Sequence, residues 1–319
     1  MVRTPLAIAI FLPYLLLNAS LHAVDAPIVE CRETDHAIDV SVHGKPVLRY
    51  HKSVLQPPAG IDPVFARSGF IHPVWTPEGK VVTADFPADH AHQHGLFSAW
   101  VNTSFNGHKV DFWNQAGRAG NVEHVRVVET RSGDLAGEFT VELRHVDLTG
   151  SDGPVSVLKE LWAVRIQPHE GGHLFDIESR QTCVADVPLT VHEYHYGGMA
   201  FRGCDEWFAE GTDFAFITSD GKDRKAANHT RPGWVTAQGT IDGKVRGLMV
   251  IDHVDNFRAP QPVRLHPTKP YFVYSPCVLG EFKLEPGVEL VNRYRYFVCD
   301  AAIPADVADE LARDFQPAR

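Results

Sequence analysis

The 319 residues carry a formal net charge of -10 and 44% hydrophobic side chains. That is enough apolar material for a sizeable core, and the sign argues against nucleic acid or an anionic membrane as a partner, leaving a neutral or cationic small molecule as the better fit. The five cysteines, Cys31, Cys183, Cys204, Cys277 and Cys299, include no closely spaced redox or zinc pair.

Arg3, the apolar run from Leu6 to Leu17 and the small-residue pattern Leu21-His22-Ala23 read as a secretory signal peptide over residues 1–23. The run is short of the ~20 residues that span a bilayer. Residues 24–319 are then expected to form one periplasmic or secreted domain. In that compartment cysteines can pair, and Cys31 with Cys299 would close the ends of the chain.

From Ala37 to Tyr50 the chain alternates apolar with polar residues and breaks at Gly44-Lys45, the pattern of a hairpin. Gly69 to Trp75 gives a further strand before the turn residues Thr76-Pro77-Glu78-Gly79. Then comes the densest stretch, Asp89-His90-Ala91-His92-Gln93-His94-Gly95. In a strand His90, His92 and His94 share one face; in a helical turn opened by Pro87 only His90 and His94 stack. Imidazole titrates near neutrality and also ligates divalent metals, so the cluster suits either proton transfer or, as the alternative, iron, copper or zinc held by His90, His92 and His94. The His-Glu-x-x-His metalloprotease motif is absent.

Asn106-Gly107 marks another turn, and strands recur at Val122–Glu129, Gly137–Val146, Val155–Ile166 and His173–Val184. Such regular strands without helical crossovers indicate an all-β antiparallel sandwich. A second dense stretch runs Val191-His192-Glu193-Tyr194-His195-Tyr196-Gly197-Gly198 and ends at Arg202; its paired glycines allow a bulge or a close backbone approach. Residues 219–231 form a polar loop, Asp242-Gly243 a hairpin turn, and His253, Asn256 and Arg258 lie in a polar loop able to hold ligand hydroxyls. Closing strands fall at 271–278, 280–284 and 288–298, and Val307, Leu311 and Phe315 repeat as one face of a short C-terminal helix.

The motifs Asp89 to Gly95, Asp111-Phe112-Trp113, His195 to Arg202, Gly247 to His253 and Asn256 to Pro260, in that order, resemble a bacterial family that carries the label "methane oxygenase PmoA". The membrane subunit sharing that label is built of spanning helices, which this chain lacks after residue 23. What the resemblance implies is a galactose mutarotase-like β-supersandwich, large and antiparallel. In that superfamily two histidines and a carboxylate act on the anomeric centre and ring oxygen of a sugar at a concave face of the larger sheet. Carried over, one of His90 or His94 is the first histidine and one of His192 or His195 the second. Glu281 falls in about the right part of the chain for the glutamate, although Gly280-Glu281-Phe282 departs from the pattern around it. The expectation is therefore an exported carbohydrate-active protein, mutarotase-like or a sugar lyase or hydrolase, needing no cofactor. His90, His94, His192 and His195 would be catalytic, with Asp89, His92, Arg202, His253, Asn256 and Arg258 holding the substrate. Trp100, Trp113 and Trp234 are candidates for stacking on a sugar face. A metal-dependent oxygenase or hydrolase, and a glycan-binding protein without turnover, are the alternatives.

Overall fold

Alternation builds the long strands. Gly137–Asp147 buries Phe139, Val141 and Leu143 while Glu138, Thr140 and Glu142 lie at the surface side, as expected of a strand with one face on a core. Glu138 and Glu142 accept from Arg131 and Arg126 on the neighbouring strand Gly120–Arg131.

The structure is a computed structural model and describes residues 27–208 and 211–316; the expected signal peptide lies outside these residues. The described residues form an all-β fold of three antiparallel sheets with a short C-terminal helix. One eight-stranded sheet runs, in spatial order, through Val29–Glu33, Ala37–Val42, Lys45–His51, Phe70–Val74, Leu96–Ala99, Gly198–Arg202, Tyr271–Tyr274 and Val263–Leu265. A second eight-stranded sheet has the hairpin Trp234–Ile241 and Lys244–Asp252 at one side and the long strands Val155–His169 and Gly172–Cys183 near its middle. Thr103–Phe105, His108–Val110, Leu189–Val191 and Phe282–Leu284 make the small third sheet. The hairpins expected at Gly44-Lys45, Asn106-Gly107 and Asp242-Gly243 all form.

One core cluster joins the sheets, with Tyr50, Phe70, Leu96, Phe97, Trp162, Phe175 and Tyr296 among its fully buried members. The helix Ala305–Phe315 caps a smaller cluster, laying Ala308 and Leu311 against Trp234, Met249 and Phe297. No helix among the described residues is long and apolar enough to cross a membrane. All five cysteines are buried and free, so Cys31 and Cys299 do not close the chain. Trp100, Trp113 and Trp234 are also buried: they are core residues, and Trp100 Nε1 donates to Gln181 Oε1 at 2.8 Å.

A polar knot sits inside the core. The wholly buried Glu160 accepts from Trp162 Nε1 at 2.7 Å and Ser179 Oγ at 2.6 Å, and lies 2.7 Å from His145 Nε2. Burial alone would raise this carboxyl, but the bonds from His145, Ser179 and Trp162 lower it below its ordinary range. Removing the carboxylate strands three buried donors. Glu160→Ala is therefore expected to cost about 3–5 kcal/mol, measured by urea unfolding, with Glu160→Gln closer to the parent.

Candidate functional site

Residues 85–95 form neither a strand nor a helix. They make a chain of turns that straightens only at Leu96–Ala99. Gly95 closes it at φ +36°, where a Cβ would collide with the carbonyl of Ile71, so only glycine fits. This irregular path separates the three histidines. His94 turns inward, with no exposed side-chain surface, between Phe70 and Phe86, and its Nδ1 donates to Asp85 Oδ1 at 2.8 Å. Burial, then the nearby Arg67 charge, hold it neutral well below its ordinary range. His94 is a core histidine, and the expected metal triad of His90, His92 and His94 is not assembled. Among the described residues no three His, Cys, Asp or Glu side chains are grouped as metal ligands.

His90 and His92 face a different space, their rings 5.4 Å apart. They line a cavity of about 220 Å³ together with His195, His266, Tyr196 and Tyr271, and Gln93, Asn114 and Arg264 complete the wall. The topology explains the convergence. Gly198–Arg202 pairs with Leu96–Ala99 on one side and Tyr271–Tyr274 on the other, and Val263–Leu265 follows. The register places Ala200, Arg202, Tyr271, Val273 and Arg264 on one face of these strands. The other face turns to the second sheet, where Tyr274 Oη donates to the Val250 carbonyl. The cavity thus spans the side of the first sheet away from the second. Gly198, at φ +132°, keeps the strands close, since a Cβ there would sit 2.5 Å from the Tyr274 carbonyl oxygen.

A clamp fixes the histidine turns. The Asp89 carboxylate accepts from Arg202 Nη2 at 3.0 Å and from Lys269 Nζ at 2.7 Å. Arg202 also donates to Gln93 Oε1 at 2.9 Å. Burial would raise the Asp89 carboxyl, but Lys269 and Arg202 more than offset this and hold it far below its ordinary range. Asp89 and the fully buried Arg202 are therefore paired with each other at the back of the histidine turns. Three further expected ligand residues lie away from this cavity. Asn256 is buried and bonds Asp252 and both backbone groups of Arg293. Arg258 donates to the carbonyls of Pro276, Gly280 and Glu281, and His253 packs on Phe315 of the C-terminal helix and lines a separate cavity of about 620 Å³ there.

The second pair of expected histidines divides. His195 reaches the cavity. His192 lies elsewhere, with Nε2 2.5 Å from Ser104 Oγ and Nδ1 2.6 Å from Glu281 Oε2. That hydroxyl–imidazole–carboxylate order polarises a serine in acyl-transfer enzymes. Here it is half exposed and borders no cavity described above, so His192 is not part of the histidine site.

Hydrogen bonds orient two of the rings. His90 Nδ1 lies between Lys269 Nζ at 2.7 Å, which can only donate, and Asp89 Oδ2 at 3.1 Å, which can only accept, so it is the shared atom of both contacts. His266 Nδ1 accepts from the backbone N–H groups of Thr268 and Lys269, which leaves Nε2–H. His92 and His195 have no ring partner among the described residues. Burial, helped by the neighbouring His90 and His94, pushes His92 down to about 3. Burial, then Lys269 and Arg264, bring His266 to about 4. His90 is lowered by burial and then Lys269, and His195 by burial and then Arg264. Burial raises Tyr196 to about 12, and the buried Tyr271 hydroxyl has no protein partner. Apart from Arg264, the cavity wall is thus a set of neutral donors and acceptors. His266, Arg264, Tyr271 and Lys269 were not singled out in the sequence. Their only signal is Arg264-Leu265-His266 ahead of Lys269.

A model of one protein family, described as a family of unknown function (DUF6807), matches residues 37–313; that description carries no methane-oxygenase label. No curated protein matches the chain. Among solved structures, the chain is similar to the heparan sulfate lyase HepC from Pedobacter heparinus, at 10% identity and TM-score 0.43 over 87% of this chain, and it spans only 37% of that protein. It is also similar to a galactose mutarotase related enzyme from Lactobacillus acidophilus, at 11% identity and TM-score 0.39, over 86% of this chain and 100% of that one. Likenesses this loose carry neither a reaction nor a ligand across.

Two outcomes are expected. Lys269→Met removes a cation from beside His90 and frees the Asp89 charge, so the His90 titration midpoint should rise, as followed by imidazole NMR. Stability should also fall with acid. His72 is pushed by burial to about 4, His92 to about 3 and His266 to about 4. The unfolded chain takes up these protons near pH 6.5, so acidification from there toward pH 3 favours unfolding. His124 and His173, each pushed by burial to about 4, act the same way, whereas Asp85, raised by burial to about 6, and Asp252, raised by burial to about 7, act in the opposite sense as two groups against five. Urea midpoints should therefore be lower at pH ~4.5 than near neutrality.

Proposed function

The chain belongs to the DUF6807 family, and we propose that it is an exported, periplasmic or secreted protein that binds a sugar in the histidine cavity and acts on it by acid–base chemistry. The supporting observation is the convergence of His90, His92, His195 and His266 from three segments on one cavity, with every one of the four titrating below its ordinary value. A neutral imidazole both donates and accepts, which suits a ligand made of hydroxyls and ring oxygens. About 220 Å³ is smaller than a typical drug-sized site and suits one sugar ring.

The ring contacts distribute the roles. His266 presents Nε2–H and polarises a sugar oxygen, as a neutral imidazole does when it serves as an electrophile, and His90 offers its Nε2 beside it. His195, at the exposed rim with no ring partner, is the proton acceptor. His92, pushed down to about 3, is too weak a base near neutrality and serves as a hydrogen-bond acceptor. No carboxylate lines the cavity as described, so a glutamate base of the mutarotase kind is not part of this mechanism.

The test is mono- and oligosaccharide binding and turnover by the purified protein. His195→Ala should lower turnover about 10²–10⁴-fold with an unchanged unfolding midpoint, and His90→Ala should weaken binding. His94→Ala should instead lower stability. Binding without turnover in the parent would identify a carbohydrate-binding protein; full function in both His90→Ala and His195→Ala would refute the site.

A further inference from the structure

The wall of the histidine cavity carries one fixed charge. Arg264, on the strand Val263–Leu265, lines it with its neighbours Val263 and Leu265 buried on the opposite side. Its Nη1 donates to Asn228 Oδ1 at 3.2 Å, and no carboxylate lies within ion-pair distance of it among the described residues. Behind His90 the Asp89 carboxylate is shared by Lys269 and Arg202, which leaves the surroundings of the cavity positive rather than negative. A half-buried guanidinium facing neutral imidazoles, in a protein whose formal charge is -10, is therefore a local positive centre in an otherwise acidic molecule.

We infer that the ligand of this cavity carries an oxyanion, a carboxylate or sulfate ester on the sugar, and that Arg264 holds it. The inference rests on the sugar reading above for the remainder of the ligand. A guanidinium offers paired N–H donors whose spacing matches two oxygens of such a group. Around the anion, His195 and His266 are neutral and do not compete for it, and the unpartnered Tyr271 hydroxyl supplies a further donor in the same wall. Arg264 is a positioning and specificity residue here, and the overall charge of the chain does not predict the ligand's sign.

The experiment compares matched ligands by calorimetry: glucose with glucuronate, galactose with galacturonate, and N-acetylglucosamine with its 6-sulfate, together with sodium acetate and sodium sulfate alone. Each is run on the parent chain, Arg264→Gln and Arg264→Lys. Binding of an anionic sugar roughly ten- to a hundredfold tighter than its neutral partner, lost in Arg264→Gln and partly restored in Arg264→Lys, supports the inference; whether the uronate or the sulfate shows it identifies the anion. Equal binding of neutral and anionic sugars, unaffected by Arg264→Gln, overturns the inference and leaves the sugar reading standing. Arg264-dependent binding of acetate or sulfate with no sugar binding upholds the anion site and overturns the sugar reading. No binding of any probe overturns both.

Discussion

The carboxylate of Asp89, held between Arg202 and Lys269, is the contact on which the candidate site depends. The three residues come from a turn, from the strand Gly198–Arg202 and from the segment before Tyr271–Tyr274. Turns have no backbone ladder to hold them, and residues 85–95 are mostly turns. A buried arginine paired with a carboxylate supplies that hold, because separating them would leave an unpaired charge in a low dielectric. The same lysine that completes the clamp also contacts His90 Nδ1, so structural and chemical requirements meet in one side chain.

Burial then does the electrostatic work. The cavity needs polar groups that stay uncharged, and an apolar surround achieves this by penalising the imidazolium more than the imidazole. Arg264, Lys269 and Arg202 add to the effect on the histidines around them. Arg264, which has no carboxylate partner among the described residues, is left facing the cavity, which is why a chain of negative formal charge has a wall suited to an anion. Net charge governs long-range behaviour, whereas recognition at a few ångströms follows the groups that have no partner in the protein.

Much of the fold was legible in the sequence because strand alternation and turn chemistry are local. Gly44-Lys45, Asn106-Gly107 and Asp242-Gly243 each mark a hairpin that forms, and the periodicity of Val307, Leu311 and Phe315 marks the terminal helix. The two dense histidine stretches of the sequence also meet in the fold, since Asp89, His90, His92 and His195 all lie in or directly behind one cavity. Their orientation was not legible. Alternation treats His90, His92 and His94 as equivalent, yet the turns send His94 into the core beside Phe70 and Asp85.

By itself, then, the sequence determined the all-β class, the hairpins, the terminal helix and which segments were rich in titratable groups, because these follow from residue type and spacing along the chain. Tertiary structure alone decided which groups meet. It paired His192 with Ser104 and Glu281, 88 and 89 residues apart in the chain. It also brought Arg264 and His266 beside His90 and spent Asn256, Arg258 and Arg202 on holding loops. Those outcomes depend on sheet order and on which side chains lose water on folding, and neither is encoded at a spacing that a linear reading can measure.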